Sequence, residues 1–94
     1  MKEQTQISVL IPVYNTEKSI KQAVWSVLNQ SFEDFELIIY LDGCTDDSKN
    51  ILNTIEDKRI KILENKENKG IVHARNVLVK YQKSMVVLLK IHLF

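Results

Sequence analysis

Three short stretches hold the side chains that could do chemistry: Pro12-Val13-Tyr14-Asn15, Asp42-Gly43-Cys44-Thr45-Asp46, and Gly70 to Asn76, which contains Arg75. The first two follow apolar runs and the third opens a helical pattern. In open α/β sheets, ligands bind beyond the carboxyl ends of the strands, where strand order reverses, so all three stretches can converge on one crevice. The chain has only two glycines, Gly43 and Gly70. A dinucleotide fingerprint and a P-loop both need closely spaced glycines and are excluded. A pyrophosphate would have to be held by a metal with carboxylate ligands, or by basic side chains. His73 and His92 lack metal-ligand spacing, and Cys44 has no histidine nearby in sequence to make a nucleophilic pair. Asp46 and Asp47 suit the first turn of a helix better than a ligand.

The elements that must position these stretches alternate strand and helix. Ile7 to Ile11 is a β-branched run that reads as a buried strand stopped by Pro12. Asn15 or Thr16 can cap a helix, with Glu17 in its first turn and Ile20, Ala23, Val24, Val27 and Leu28 on one face. Trp25 lies beside that stripe and is expected to pack. Phe35 to Leu41 is a second strand, ended by the Asp42-Gly43 turn signal. Thr45, Asp46 and Asp47 start a second helix with Ile51, Leu52 and Ile55 inward. Arg59 to Leu63 gives a third strand, with Lys58, Arg59 and Lys61 as a solvated edge. Asn65 to Gly70 is a polar loop. Ile71, Ala74, Val77, Leu78 and Tyr81 mark a third helix, and Met85 to Leu89 a fourth strand. The expected fold is α/β: a mostly parallel sheet of about four strands with helices on both faces and right-handed crossovers.

Composition sets limits on partners. The 94 residues are 45% hydrophobic and 27% charged, too apolar for a disordered chain. A net charge of +1 gives no sign of nucleic acid or an anionic membrane as partner. No run approaches the roughly 18 apolar residues of a membrane span, and the start lacks the features of a signal peptide. The single cysteine, Cys44, cannot form an internal disulfide, which fits a cytoplasmic setting.

Four segments, in order and with matching separations, resemble the family 2 glycosyltransferases of the GT-A fold. Ser8 to Asn15 (SVLIPVYN) is similar to the family's opening strand and loop. Ser26 to Ile38 (SVLNQSFEDFELI) resembles its helix-to-strand passage. Asp42 to Asp46 (DGCTD) resembles its acidic turn, usually DDGSTD. Asn68-Lys69-Gly70 with Ala74-Arg75-Asn76 is similar to its third-helix signature. The resemblance implies a Rossmann-like nucleotide-binding half, spanning residues 1–94. The implied enzyme moves a sugar from a nucleotide diphosphate donor, often UDP-linked, to an acceptor hydroxyl on a glycan or lipid. Carried over by position, Tyr14 would lie against the base and Asp42 would accept from the base N3–H. Arg75 would sit near the base, ribose or diphosphate, and Pro12 would shape the pocket wall. Aromatic faces stack on bases with little sequence demand, and a carboxylate accepts from uracil N3–H but not from cytosine N3.

The chain also departs from the pattern. Leu41 stands where the acidic turn has its first acid, and Cys44 replaces the serine. The family's fourth strand should deliver a D-x-D motif for Mg²⁺ or Mn²⁺, but the gap-free alignment puts Lys90 and His92 there. The chain stops about where that strand ends, so truncation before the catalytic base is expected, together with an inactive fragment that associates through the apolar segment Met85 to Phe94. A non-catalytic remnant is the alternative. A receiver-like module is disfavoured, because Pro12-Val13-Tyr14-Asn15 and Glu64-Asn65 stand where its acids belong.

Overall fold

A computed structural model describes residues 7–31, 33–81 and 86–89, the last of these by backbone only. The elements are β1 (Ile7–Val13), α1 (Ile20–Leu28), β2 (Phe35–Asp42), α2 (Ser48–Leu52), β3 (Ile60–Asn65), α3 (Ile71–Tyr81) and β4 (Val86–Leu89). The four strands form one sheet in the order β3-β2-β1-β4, with every neighbouring pair parallel. Parallel strands covered on both faces need apolar residues at consecutive positions rather than alternate ones. Val9 to Val13 and Leu37 to Asp42 are accordingly buried without a break.

Alternation along the strands divides the core into two layers. Val9, Ile11, Val13, Leu37, Ile39 and Leu41 face the helix side that holds Ile20, Val24 and Val27 of α1 and Leu52 of α2. Leu10, Ile38 and Tyr40 face Ala74 and Leu78 of α3. This split follows from strand order. The crossovers through α1 and α2 step the same way across the sheet, from β1 to β2 to β3, while α3 carries the chain back past β2 and β1 to β4. With crossovers of a single hand, reversing direction puts the helix on the opposite face. The reversal lies between β1 and β4, at the carboxyl end of β1. Among the described residues no helix is long and apolar enough to cross a membrane.

Several local expectations are corrected. β1 does not stop at Pro12 but runs through it to Val13. Pairing with β4 covers only Ile7 to Leu10, so Pro12 lies past that ladder, and the missing N–H is tolerated at such an edge. Neither Asn15 nor Thr16 caps α1. The cap is Ser19, which makes no side-chain cap bond. Trp25 is 42% exposed, because it is rotated one residue off the stripe through Val24. Tyr81 is also exposed, with the Lys61 Nζ 5.1 Å from its ring centre. Met85 and the segment from Lys90 to Phe94 lie outside the described residues.

Arg59 is not a solvated edge residue. Its Nε and Nη2 donate to the two Asp57 carboxylate oxygens at 3.0 and 2.8 Å, Nη1 donates to the Glu33 carbonyl at 3.2 Å, and Nη2 also reaches the Leu28 carbonyl at 3.4 Å. The guanidinium carbon lies 4.4 Å from the Phe35 ring centre. One side chain therefore closes the last turn of α1, holds the approach to β2 and anchors the start of β3. A lysine cannot reproduce this planar fork. We expect Arg59→Met to lower stability by about 1–3 kcal/mol, the loss of charge-assisted hydrogen bonds in a partly buried setting. Arg59→Lys should recover only a minor part. Urea denaturation checks this through a lower midpoint at unchanged slope.

Candidate functional site

The carboxyl ends of β1 and β2 finish side by side. Val13, the last residue of β1, pairs with Leu41, so Tyr14 and Asp42 are each the next residue after that pair, where the two strands run about 4.8 Å apart. Pro12 is buried within β1, opposite Tyr40. Tyr14 is half-buried, just past the strand. Asp42 has no exposed surface. Its Oδ1 accepts from the Lys69 N–H at 3.0 Å and its Oδ2 from the Gly70 N–H at 2.9 Å. Asp42 therefore ties the loop before α3 to the end of β2. Arg75 is exposed on α3, five residues past Gly70. The fold thus brings the segments that carry Tyr14 and Asp42 together at the ends of β1 and β2, and joins Arg75 to them through the start of α3.

Gly43 completes this clasp. Its N–H donates to the Asn65 carbonyl at 2.8 Å, and its φ is +66°. A side chain there would place Cβ 2.3 Å from the Asn68 nitrogen and 2.6 Å from the Glu67 carbonyl carbon. The close backbone approach is what requires glycine. Under the same loop, Tyr40 lies with its ring centre 6.3 Å from that of His73. Burial, and then the neighbouring Asp42 charge, raise the Tyr40 hydroxyl pKa, while an Asn65 hydrogen bond acts the other way.

A second clasp joins the turn after β1 to the turn after β2. Asn15 Oδ1 accepts from the Thr45 and Asp46 N–H groups at 2.8 and 3.2 Å, and its Nδ2 donates to the Thr45 Oγ1 at 3.2 Å. The Glu17 N–H donates to Asp46 at 3.1 Å, and the Asp47 N–H donates back to Glu17 at 3.1 Å. The Ser48 N–H donates to the other Asp46 oxygen at 3.0 Å, and the Ser48 Oγ accepts from the Thr16 N–H at 3.2 Å. Burial alone would raise the Asp46 carboxyl pKa. The hydrogen bonds from Ser48 and the Glu17 amide outweigh it and hold the group below its ordinary value. The Cys44 thiol lies 3.6 Å from the Val13 carbonyl, and burial pushes its pKa up, away from a reactive thiolate.

The carboxyl edge carries the Tyr14 loop, the acidic turn and the start of α3, which belong to three of the four segments that carry the resemblance. The family model for glycosyl transferase family 2 matches residues 8–89. The chain belongs to the family 2 glycosyltransferases. It is 45% identical over 73 residues to an uncharacterized glycosyltransferase of Haemophilus influenzae, covering 76% of this chain and 29% of that protein. It is 39% identical over 77 residues to the Escherichia coli protein WfaP, named a UDP-Glc:alpha-D-GlcNAc-diphosphoundecaprenol beta-1,3-glucosyltransferase, covering 82% of this chain and 31% of that one. In structure it is similar to S. aureus TarS 1-349 in complex with UDP, with a TM-score of 0.85 and 29% identity over 94% of this chain and 27% of that one. The mannosyltransferase PcManGT from Pyrobaculum calidifontis shares the fold at a TM-score of 0.81 and 20% identity, over 92% of this chain and 27% of that one. The chain thus spans under a third of the length of each of these relatives.

The divalent metal implied by the family does not fit the described residues. Both oxygens of Asp42 and both of Asp46 already accept backbone N–H bonds. Among the described residues no three His, Cys, Asp or Glu side chains gather as a metal site needs. Lys90 and His92 lie outside the described residues. A separate cavity of about 750 Å³, lined by Leu28, Gln30, Glu33, Asp57 and Arg59 among others, opens at the opposite, amino end of the sheet. Its guanidinium is occupied by the contacts described above, and it lies away from the strand ends where α/β folds bind ligands.

The residues that sequence reasoning missed are Asn15, Glu17 and Gly43 as clasps. In the sequence Gly43 reads only as a turn signal. Its close approach to the 65–70 loop is a tertiary fact without a local signature. We expect Gly43→Ala to cost at least about 1–2 kcal/mol from the left-handed backbone alone, with the backbone clash adding to it, as a lowered thermal midpoint would reveal. Asp46 and Asp57, the latter held by Arg59, both have carboxyls below the ordinary range. A depressed folded-state pKa stabilises above the unfolded value and is lost as pH falls through the folded one. Stability should therefore hold down to about pH 4 and decline below it. Asp46→Ala should flatten that acid arm in melting curves recorded against pH.

Proposed function

We propose that this chain is the nucleotide-binding half of a glycosyltransferase domain whose donor is a nucleotide diphosphate-sugar, UDP-linked, and whose acceptor is a hydroxyl of a glycan or lipid. The observation that carries this reading is that the carboxyl ends of β1 and β2 lie side by side, with Tyr14 and Asp42 each following the Val13–Leu41 pair, beside the reversal of strand order. The UDP bound in the S. aureus relative and the UDP-glucose in the name of the Escherichia coli one support uridine.

In this reading the base lies against Tyr14, Pro12 forms the wall beneath it, and Arg75 approaches from the start of α3. Asp42 accepts from the base N3–H. Its carboxylate is closed off by the 65–70 loop in the unliganded chain, so reaching it means that the Lys69 or Gly70 amide gives up one oxygen. The Gly70 N–H is the one released at small cost, because it also donates to the Asn68 Oδ1 at 2.9 Å. By itself the chain binds nucleotide without metal-stimulated transfer, because Lys90 and His92 stand at the positions where the family's two metal-binding acids belong. The free Cys44 supports a reducing, cytoplasmic setting.

UDP should bind the wild-type chain about tenfold more tightly than CDP, the difference expected when a charged acceptor meets N3–H in one base and a second acceptor in the other. Asp42→Asn presents a donor instead, so it should lose affinity for UDP and narrow or reverse the preference. Calorimetric titration of both nucleotides against both proteins is the test. Equal affinities of the wild type for UDP and CDP would remove Asp42 from base recognition.

A further inference from the structure

Among the described residues, Asn15 is the one non-glycine residue with positive φ, at +49°. Asparagine tolerates this conformation better than most residues, but it still costs energy relative to the right-handed region. The usual reason for an asparagine at such a place, capping the following helix, does not apply, since α1 begins at Ile20 behind Ser19. Instead the side chain spans to the turn after β2, taking the Thr45 and Asp46 N–H groups on one oxygen and giving its own N–H to the Thr45 hydroxyl. The residue immediately before it is Tyr14. The backbone of Tyr14 thus runs between a strand end fixed by its register with β2 and a left-handed residue fixed by three hydrogen bonds.

We propose that Asn15 is a positioning residue for nucleotide recognition: it holds Tyr14 in place at the end of β1 by tying the turn after β1 to the turn after β2. This rests on reading Tyr14 as the base-contacting residue. An unclasped turn would let Tyr14 sample orientations in which its ring no longer faces a base that Asp42 holds. The ordering entropy would then be met at binding instead of at folding.

Two variants separate this role from general support of the fold. Asn15→Gly keeps the left-handed backbone and removes the clasp. Asn15→Asp keeps both acceptor bonds. The backbone order parameter of Tyr14, from nitrogen-15 relaxation, should fall from about 0.85 toward 0.6 or below in Asn15→Gly and return in Asn15→Asp. UDP affinity should fall about tenfold in Asn15→Gly. The same substitution made in a Tyr14→Ala background should cause no further loss, because residues acting through one another are not additive. Equal losses in both backgrounds, or an unchanged Tyr14 order parameter in Asn15→Gly, would overturn the proposal. If the wild-type chain binds no UDP, the nucleotide reading itself falls, and the order parameter alone then decides whether Asn15 fixes Tyr14.

Discussion

Asp42 is a carboxylate with no exposed surface, and the carboxyl edge of the sheet is arranged around keeping both of its oxygens hydrogen-bonded. Such a group is tolerated in the interior only where donors replace water. Here the donors are two consecutive backbone amides at the entrance to α3. That choice fixes where the third helix begins. It also forces the 65–70 loop down onto Gly43, where any larger residue would collide with backbone. From that anchor α3 packs Ala74 and Leu78 against Leu10, Ile38 and Tyr40.

The sheet is secured at both ends by polar clasps of different kinds. At the carboxyl end, short acidic and amide side chains bind backbone N–H groups across loops. At the amino end, one guanidinium binds carbonyls and a carboxylate across three segments. The contrast has a physical basis. In a parallel sheet with helical crossovers the helix N-termini, with free N–H groups, stand at the carboxyl end of the strands and the helix C-termini, with free carbonyls, at the amino end, and each end needs the complementary partner. The candidate nucleotide site lies at the edge where side chains hold backbone N–H groups, Asp42 fully buried and Asn15 exposed.

Much of this was legible in the sequence. Uninterrupted apolar runs gave buried parallel strands, and helical stripes such as Ile20, Val24 and Val27 gave the covering layers. The polar pairings were not legible, because they join residues about thirty positions apart, and neither partner signals its choice locally. Arg59 beside Lys58 and Lys61 reads as a charged edge until Phe35, Glu33 and Leu28 are brought under it. Asn15 reads as a helix cap until the second turn arrives beside it. Pro12 reads as a strand terminator because its missing N–H matters only if a neighbour occupies that side. For the site, Tyr14 and Asp42 were visible by position, while the loop over Asp42 was not.

The strand order also bears on how the chain assembles during synthesis. β1, β2 and β3 lie side by side in the order in which they are made, so each new strand finds its neighbour already formed. β4 differs: Ile7 pairs with Phe35 on one side and with Val86 on the other, a sequence separation nearly three times longer. Closing the longer loop costs about 1 kcal/mol more in chain entropy. β4 is therefore the strand made last and paired across the longest stretch of chain, and α3, anchored at Asp42, is the arm that brings it to β1.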